Sequence, residues 1–330
     1  MKAELKSVSV VIATHSRIEP LADLLDDLRS QDYPAGLIEV VVVDSPQGED
    51  CSEVVASART KGLNVTRLLT DNNLACKRNC GARASRGQIL VFLDDDLRIG
   101  IRFLAAHVSH QIELGGAVVS SSIRFPEEWV RESNFYRFRD AQHRLTAGPE
   151  DRSLPNPPHR VVAMSFSIPR TAFASLGGFD TGFRRYGGED IDFGMRCASA
   201  GYELVTSMEA KSEHRESSAT MRRYIAKIEL ASQSSAPRLV GKHPELRQLM
   251  TFQLSVPGSQ ARLKVRLARK FFRFANGLRI AGLVARLLDA VDKNPRLYAN
   301  SAYRFVNAVA LAASPREFCQ DDNFMSSGTQ

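Results

Sequence analysis

Four short apolar runs, Ser7–Ala13, Ile38–Val43, Asn64–Leu69 and Ile89–Leu93, alternate with helix-like stretches in the first hundred residues. Ile89–Leu93 is too short for a capped globular helix, and its unbroken apolar character fits a strand covered on both faces; the other three read as strands beside it. Between them, Leu21, Leu24, Leu25 and Leu28 recur at helical spacing, and Ser52–Thr60 and Leu74–Ser85 read as two more helices. Such alternation requires an α/β fold, a mostly parallel sheet flanked by helices. Ligands in these sheets bind beyond the carboxyl ends of the strands. Polar residues wait at three of those ends: Thr14-His-Ser-Arg17, Asp44, and the run Asp94-Asp95-Asp96. Three segments far apart in the chain are therefore expected to meet in one cleft.

Three adjacent carboxylates at the end of a buried strand repel one another, so a positive partner is required; a divalent metal supplies it most economically, and Arg98 is the alternative. In extended backbone, residues two apart share a side. Asp94 and Asp96 are thus expected to hold the metal together, with water and phosphate oxygens completing its shell, while Asp95 faces elsewhere. No G-x-G-x-x-G follows the first strand and no G-x-x-x-x-G-K-[ST] occurs, which argues against a dinucleotide site and a P-loop.

Ser16-x-x-Glu19 has the spacing of a capping box, with Pro20 in the first turn of the helix it would open. Further on, Phe103–Leu114 reads as a helix and Ala117–Ile123 as a strand. Arg124–Arg160 reads as a long irregular segment, a lid or recognition loop, holding Trp129 and the aromatics Phe135, Tyr136 and Phe138. Val161–Ile168 returns as a strand, Gly177-Gly-Phe-Asp180 as a tight turn, Gly187–Asp192 as the head of a helix and Tyr202–Thr206 as another strand. Two domains are expected: 1–216, carrying the sheet, and 217–330, mostly helical and basic.

In the second domain Ala261–Asp292 interleaves Leu and Phe with Arg and Lys. That pattern suits either a helix lying on an anionic membrane or an Arg-rich solvated face on a helix packed against the first domain. The net charge of +7 fits anionic partners; with no recognisable binding module, nucleic acid is not among those expected. Five irregularly placed Cys, with Cys76 and Cys80 lacking a second pair to complete a zinc site, suggest free thiols in a reducing cytoplasm. There is no signal-peptide pattern after Met1 and no apolar run of the ~20 residues a bilayer demands. A cytoplasmic protein is expected, at most peripheral at the inner face of the plasma membrane. Asp321–Gln330 is expected to be disordered.

Taken in order, Val10-Val-Ile-Ala-Thr-His-Ser-Arg17, Val40-Val-Val-Val-Asp-Ser45, Asn72-Asn-Leu-Ala-Cys-Lys-Arg-Asn-Cys-Gly81, Val91-Phe-Leu-Asp-Asp-Asp96, Gly177-Gly-Phe-Asp180, Gly188-Glu-Asp-Ile-Asp-Phe-Gly-Met-Arg-Cys197 and His214 form a set. It resembles the family 2 glycosyltransferases, inverting enzymes of the GT-A fold that move a sugar from a nucleotide-sugar to an acceptor. The resemblance runs from Val8 to His214. It implies that Thr14, Ser16, Arg17 and Asp44 hold the base and ribose, that Lys77 and Arg78 approach the pyrophosphate, and that Asp95 joins the nucleotide site. It further implies that Asp94 and Asp96, joined by His214, hold Mn2+ or Mg2+, with a UDP-sugar as donor.

Asp190 then resembles the catalytic base. A sugar hydroxyl attacking an anomeric carbon must lose its proton, and a helix N-terminus should keep this carboxylate ionised at neutral pH. Glu189 and the loop around Trp129 would contact the hydroxyl acceptor, and Asp192 would pair with Arg196. The chain departs from the family pattern at Asp44-Ser45-Pro46, where two acids and a Gly are commoner, and at His15, which either stacks on the base or fills space. Two other classes compete: a family member that binds nucleotide or glycan as a scaffold without turnover, and a nucleotidyltransferase. The latter would need a Gly-rich basic loop after the first strand, which Thr14–Arg17 does not supply.

Overall fold

Val8–Ala13, Ile38–Asp44 and Ile89–Asp94 become strands because they are covered on both faces, while Val65–Leu69 forms the sheet edge with Thr66 and Leu69 exposed. In the computed structural model, which describes residues 5–146, 156–256 and 261–313, the chain opens with β1 (Val8–Ala13), α1 (Ile18–Arg29), β2 (Ile38–Asp44), α2 (Ser52–Thr60), β3 (Val65–Leu69), α3 (Leu74–Ala84) and β4 (Ile89–Asp94). β5 (Leu97–Ile99), α4 (Phe103–Glu113) and β6 (Val118–Arg124) follow. Next come α5 (Glu127–Glu132), α6 (Asn134–Thr146), β7 (Ser165–Pro169), α7 (Arg170–Ser175), α8 (Glu189–Ser199) and β8 (Leu204–His214). The 321–330 tail and residues 147–155 of the expected loop lie outside the described residues.

The eight strands form one sheet in the order β3-β2-β1-β4-β7-β6-β8-β5. β3, β2, β1 and β4 run parallel, as the alternation predicts, and β6 is parallel to β8. β7 is antiparallel to β4 and β6, and β5 to β8, so half of the sheet is mixed. Register sets the functional edge. Ala13 lies opposite both Val43 and Asp94, so β1, β2 and β4 end level, and the residues that follow form one row. At the far side Leu97 lies opposite His214, which brings that histidine beside the turn after β4.

Two expectations fail locally. The capping box does not form: Arg17 is the N-cap of α1, without a side-chain bond. Ser16 instead takes a left-handed φ of 51°, and its Oγ accepts from the Glu49 N–H at 3.0 Å. That hydroxyl is committed to the loop after β2, so it cannot also cap α1. The expected loop is helical over α5 and α6, because Phe135, Tyr136 and Phe138 bury along α6.

The chain divides into two compact units. One comprises Met1–Pro126, Gln142–Gly182 and Glu189–Arg215; the other comprises Glu127–Ala141, Phe183–Gly188 and Glu216–Gln330. In the second, α9 (Met221–Lys242) is capped by Thr220, whose hydroxyl accepts from the Arg223 N–H. α10 (Met250–Ser255), α11 (Leu263–Gly277), α12 (Ile280–Ala290) and α13 (Asn300–Leu311) complete it around Leu239, Ala285, Tyr303 and Val306. The single long helix suggested by Ala261–Asp292 is broken. α11 ends at Asn276-Gly277, a pair that favours helix termination, and Arg279 turns the chain with a φ of 58°.

Candidate active site

The row at the sheet edge is tied together by buried charges. Lys77 is buried on α3 and donates all three of its protons: to the Thr14 carbonyl at 2.7 Å, Asn72 Oδ1 at 2.8 Å and Ser45 Oγ at 3.3 Å. Burial lowers its pKa to about 8. Its ammonium therefore clamps the ends of β1 and β2 and the start of α3 into one corner. Gly81, a turn further along α3, permits this docking, since a Cβ there would stand 2.4 Å from Val11 Cγ1.

Asp44 is buried at the end of β2. It accepts from the Ser45 N–H at 2.7 Å, from Cys51 Sγ at 3.3 Å and from Arg67 Nη2 at 2.9 Å. Oδ2 accepts two of these bonds and Oδ1 only one, and since a carboxylate oxygen can accept two, capacity for a further donor remains at Oδ1. Arg67 escaped notice in the sequence; its only signal was a cation in a partly apolar strand next to β2. His15 bonds Ser45 Oγ through Nδ1 at 2.8 Å, and burial lowers its pKa.

The three aspartates do not split as strand alternation predicts. β4 ends at Asp94, and Asp95 and Asp96 lie in a turn, where the two-residue period no longer holds. Asp94 points to Arg78. Asp95 and Asp96 share Arg17, which bonds Asp95 Oδ1 at 3.0 Å and Asp96 Oδ2 more closely; Thr14 Oγ1 donates to Asp95 Oδ2 at 2.7 Å. Arg98, the alternative counter-charge, is instead engaged by Asp27 at 2.7 Å. Burial opposes the Asp96 carboxylate, but His214 and Arg17 outweigh it and hold its pKa below the usual range. Asp95 goes the other way: burial, with Asp96 beside it, exceeds the help from Arg17 and raises it.

His214 Nε2 lies 3.4 Å from Asp96 Oδ2. The His214 ring is stacked on Phe125 with centroids 5.0 Å apart, and His143 Nε2 sits 3.3 Å from its Nδ1, a neighbour that the sequence did not suggest. Asp96 Oδ1 is buried with no hydrogen-bond partner. A buried carboxylate oxygen in that state invites a cation, so Asp96 and His214 fit a divalent metal. They fit it as a pair: among the described residues no group of three His, Cys, Asp or Glu converges on one point. Asp94, expected to share the metal with Asp96, is engaged by Arg78.

Across the cleft stands α8, which opens after Gly187 and Gly188, with φ of 76° and 102°. Its first residues are Glu189 and Asp190. Arg78, fully buried, donates to Asp94 Oδ1 at 2.8 Å and to Glu189 Oε1 at 2.9 Å. Burial works against this guanidinium, but Asp94 and Glu189 more than compensate and raise its pKa. One cation thus joins the end of β4 to the head of α8. Asp190 accepts from the Ile191 N–H at 2.8 Å. Its pKa is raised to about 7 by burial and by the neighbouring Glu189, against the helix N-terminus and Arg78, so the full ionisation expected at neutral pH does not hold.

The Gly177-Gly178 turn fixes α3 and α8 relative to each other. Asn79 on α3 exchanges two 2.8 Å bonds with the Phe179 backbone, and Gly178 must be glycine there: its φ is 71°, and a Cβ would stand 2.6 Å from Asn79 Oδ1. From α8, Arg196 grips the same turn through the Leu176 and Gly178 carbonyls at 2.7 Å, and pairs with Asp192 at 2.9 Å as the i, i+4 spacing predicts. Trp129 lies on α5 of the second unit, half-buried against Tyr136 with centroids 5.0 Å apart.

Comparison with known proteins places the chain in a family. Residues 147–220 match the N-terminal domain of galactosyltransferase. The chain is 28% identical over 265 residues to validoxylamine A glucosyltransferase of Streptomyces hygroscopicus subsp. jinggangensis, a match covering 72% of this chain and 61% of that protein. It is 26% identical over 209 residues to glycosyltransferase AglE of Haloferax volcanii, covering 62% and 66%. The chain therefore spans about three fifths to two thirds of the length of these relatives. Among solved structures, a mannosyltransferase from Pyrobaculum calidifontis in complex with GDP-Man and Mn2+ superposes with a TM-score of 0.62 at 18% identity, covering 94% of this chain and 87% of that one. The two share a fold. Residues 9–176, just over half of the 330, match glycosyl transferase family 2, and the chain belongs to that family.

Proposed function

We propose that this protein transfers a sugar, with inversion, from a nucleotide-diphosphate sugar to a hydroxyl acceptor, Asp190 taking the acceptor's proton. The observation that carries this is the Arg78 bridge, which unites the strand-end acids with the head of α8. Thr14, Ser16, Arg17, Asp44 and Asp95 form the nucleotide corner, which Lys77 holds in shape. Arg78 supplies positive charge beside the diphosphate, and Glu189 orients the acceptor. Mn2+ or Mg2+ bound at Asp96 and His214 would neutralise charge on the departing diphosphate. Asp94, engaged by Arg78, is left out of that pair.

A screen of the purified protein against UDP-, GDP- and dTDP-sugars tests this. One donor, a UDP-sugar first among them, should release nucleotide with Mn2+ or Mg2+, and chelator should lower the rate by about a hundredfold or more. If no donor is hydrolysed or bound with either metal, the proposal fails. Trp129 is proposed to contact the acceptor. Trp129→Ala should raise the acceptor KM by about three- to tenfold, the worth of one aromatic contact, with donor hydrolysis unchanged; an unaltered KM removes it from the site. Among the described residues no helix is long and apolar enough to cross a membrane, and we place the enzyme peripherally at the inner membrane face.

A further inference from the structure

On α11 the large apolar side chains point away from the protein. Leu263, Leu267, Phe271, Phe274 and Leu278 are each more than half exposed, Phe274 reaching 66%. At 100° per residue they fall within an arc of roughly 80°. The buried residues Val265 and Ala275 fall outside that arc, Val265 nearly opposite its centre. α12 repeats the arrangement: Ala281, Ala285 and Leu288 are buried, while Leu283 and Leu287 are exposed at 59% and 58%. Isolated exposed leucines are ordinary, but seven large apolar groups on two consecutive helices form a patch that monomers rarely leave uncovered.

The charges around the patch say what covers it. α11 carries Lys264, Arg266, Arg269, Lys270 and Arg273 and no acidic residue. Lys264 flanks one edge of the apolar arc, and Lys270 and Arg266 the other. α9, α11 and α12 also line a cavity of about 970 Å³ whose lining holds Arg222, Arg273, Arg279 and Arg286 against one carboxylate, Glu229, with Leu278 and Leu283 beside them. Arg279 and Arg286 pair with no carboxylate among the described residues.

We propose that the α11–α12 hairpin docks on an anionic phospholipid bilayer, its Leu and Phe side chains entering the acyl boundary and its cations meeting headgroup phosphates. A second copy of the chain is a poorer occupant, because a two-fold contact would press two acid-free basic helices together. Nucleic acid would use the cations and leave the apolar stripe wet. The inference rests on the peripheral placement proposed above and is independent of sugar transfer.

Co-sedimentation of the full chain with vesicles of phosphatidylcholine alone, or mixed with phosphatidylglycerol, tests it. Binding should be strong on the mixed vesicles and weaken with salt. Lys264→Gln/Arg266→Gln/Lys270→Gln should lower partition onto mixed vesicles by about a hundredfold, each cation near an anionic surface being worth about fivefold. Phe271→Ser/Phe274→Ser, both exposed and so compatible with folding, should lower it by at least about tenfold on either vesicle. The proposal is overturned if the wild type stays in the supernatant at low salt, or if the Phe variant binds as well as wild type. It is also overturned if the lipid-free chain is a dimer that the Phe variant dissociates, since the face then belongs to a second copy. Donor hydrolysis without vesicles, measured on the same preparations, keeps the outcomes apart: hydrolysis without vesicle binding sinks only the docking, and the converse sinks only the catalytic proposal.

Discussion

Asp190→Asn should lower kcat by about 10²- to 10⁴-fold, the usual worth of a positioned general base, while the nucleotide dissociation constant stays within a small factor of wild type. The acceptor hydroxyl is a poor nucleophile until its proton leaves, and the amide cannot accept that proton at neutral pH. Nucleotide binding is spared because the corner at Thr14, Arg17 and Asp44 is built without Asp190. The position of this carboxylate on the pH scale supplies a second signature. With a pKa near 7, set by burial and by Glu189, Asp190 should make the wild-type kcat/KM rise with pH through about 7, a limb the variant should lack.

Stability moves the opposite way. An unfolded aspartate titrates at about 3.9, so between that value and about 7 the folded state holds a proton that the unfolded chain has released. Folding stability contributed by Asp190 is therefore present at low pH and declines as pH rises across this window. Asp190→Asn removes the decline, and thermal unfolding should show the variant more stable than wild type at pH 8, on the order of 1 to 3 kcal/mol, and not at pH 4. A variant that keeps a tenth or more of wild-type kcat, or whose nucleotide affinity collapses, would show that Asp190 is not the base.

What the sequence disclosed depended on how far apart the cooperating residues lie. β1, β2 and β4 were legible because a strand covered on both faces is largely apolar, β3 because it sits in the same alternation, and the helices between them keep their own period. That β1, β2 and β4 end level was implied by the parallel winding, and with it the meeting of Thr14, Asp44 and the aspartate run. The aspartates themselves were misdirected by a single residue. β4 stops at Asp94, and local composition does not fix a strand end that closely. His214 rested on family order alone; its approach to Asp96 follows from Leu97 lying opposite it in an antiparallel ladder that no local pattern encodes. α6 was hidden for a similar reason. Its start is fixed by Asn134 Nδ2 donating to the carbonyls of Val291 and Asn294, some 160 positions later, which composition around Phe135 cannot show. Arg78 and Glu189 were each given a ligand to hold, whereas a separation of 111 positions concealed that they hold each other.

That last pair carries the largest structural effect expected of any single change. Arg78→Met keeps much of the side chain's volume and removes its charge, leaving Glu189 buried and Asp94 partly buried with no cation between them. Removing one partner of a buried pair costs about 3 to 5 kcal/mol, because the desolvated charge that remains is uncompensated. For a chain of this size that corresponds to a fall in Tm of about 4 to 7 °C. Activity should fall as well, since the same guanidinium is the positive group proposed beside the diphosphate. The two losses separate in the double variant. Arg78→Met/Glu189→Gln removes the stranded charge together with its partner and should recover half or more of the lost stability without restoring turnover, a coupling of at least about 1 kcal/mol in a double-mutant cycle. Arg78→Lys should fall between: it retains a charge, but a single ammonium cannot span two carboxylates on separate elements as the planar fork does. If Arg78→Met unfolds within a degree or two of wild type, the bridge between β4 and α8 is not what holds the cleft together. The common site of Asp94, Asp96 and Asp190 would then lack the contact on which it has been assembled.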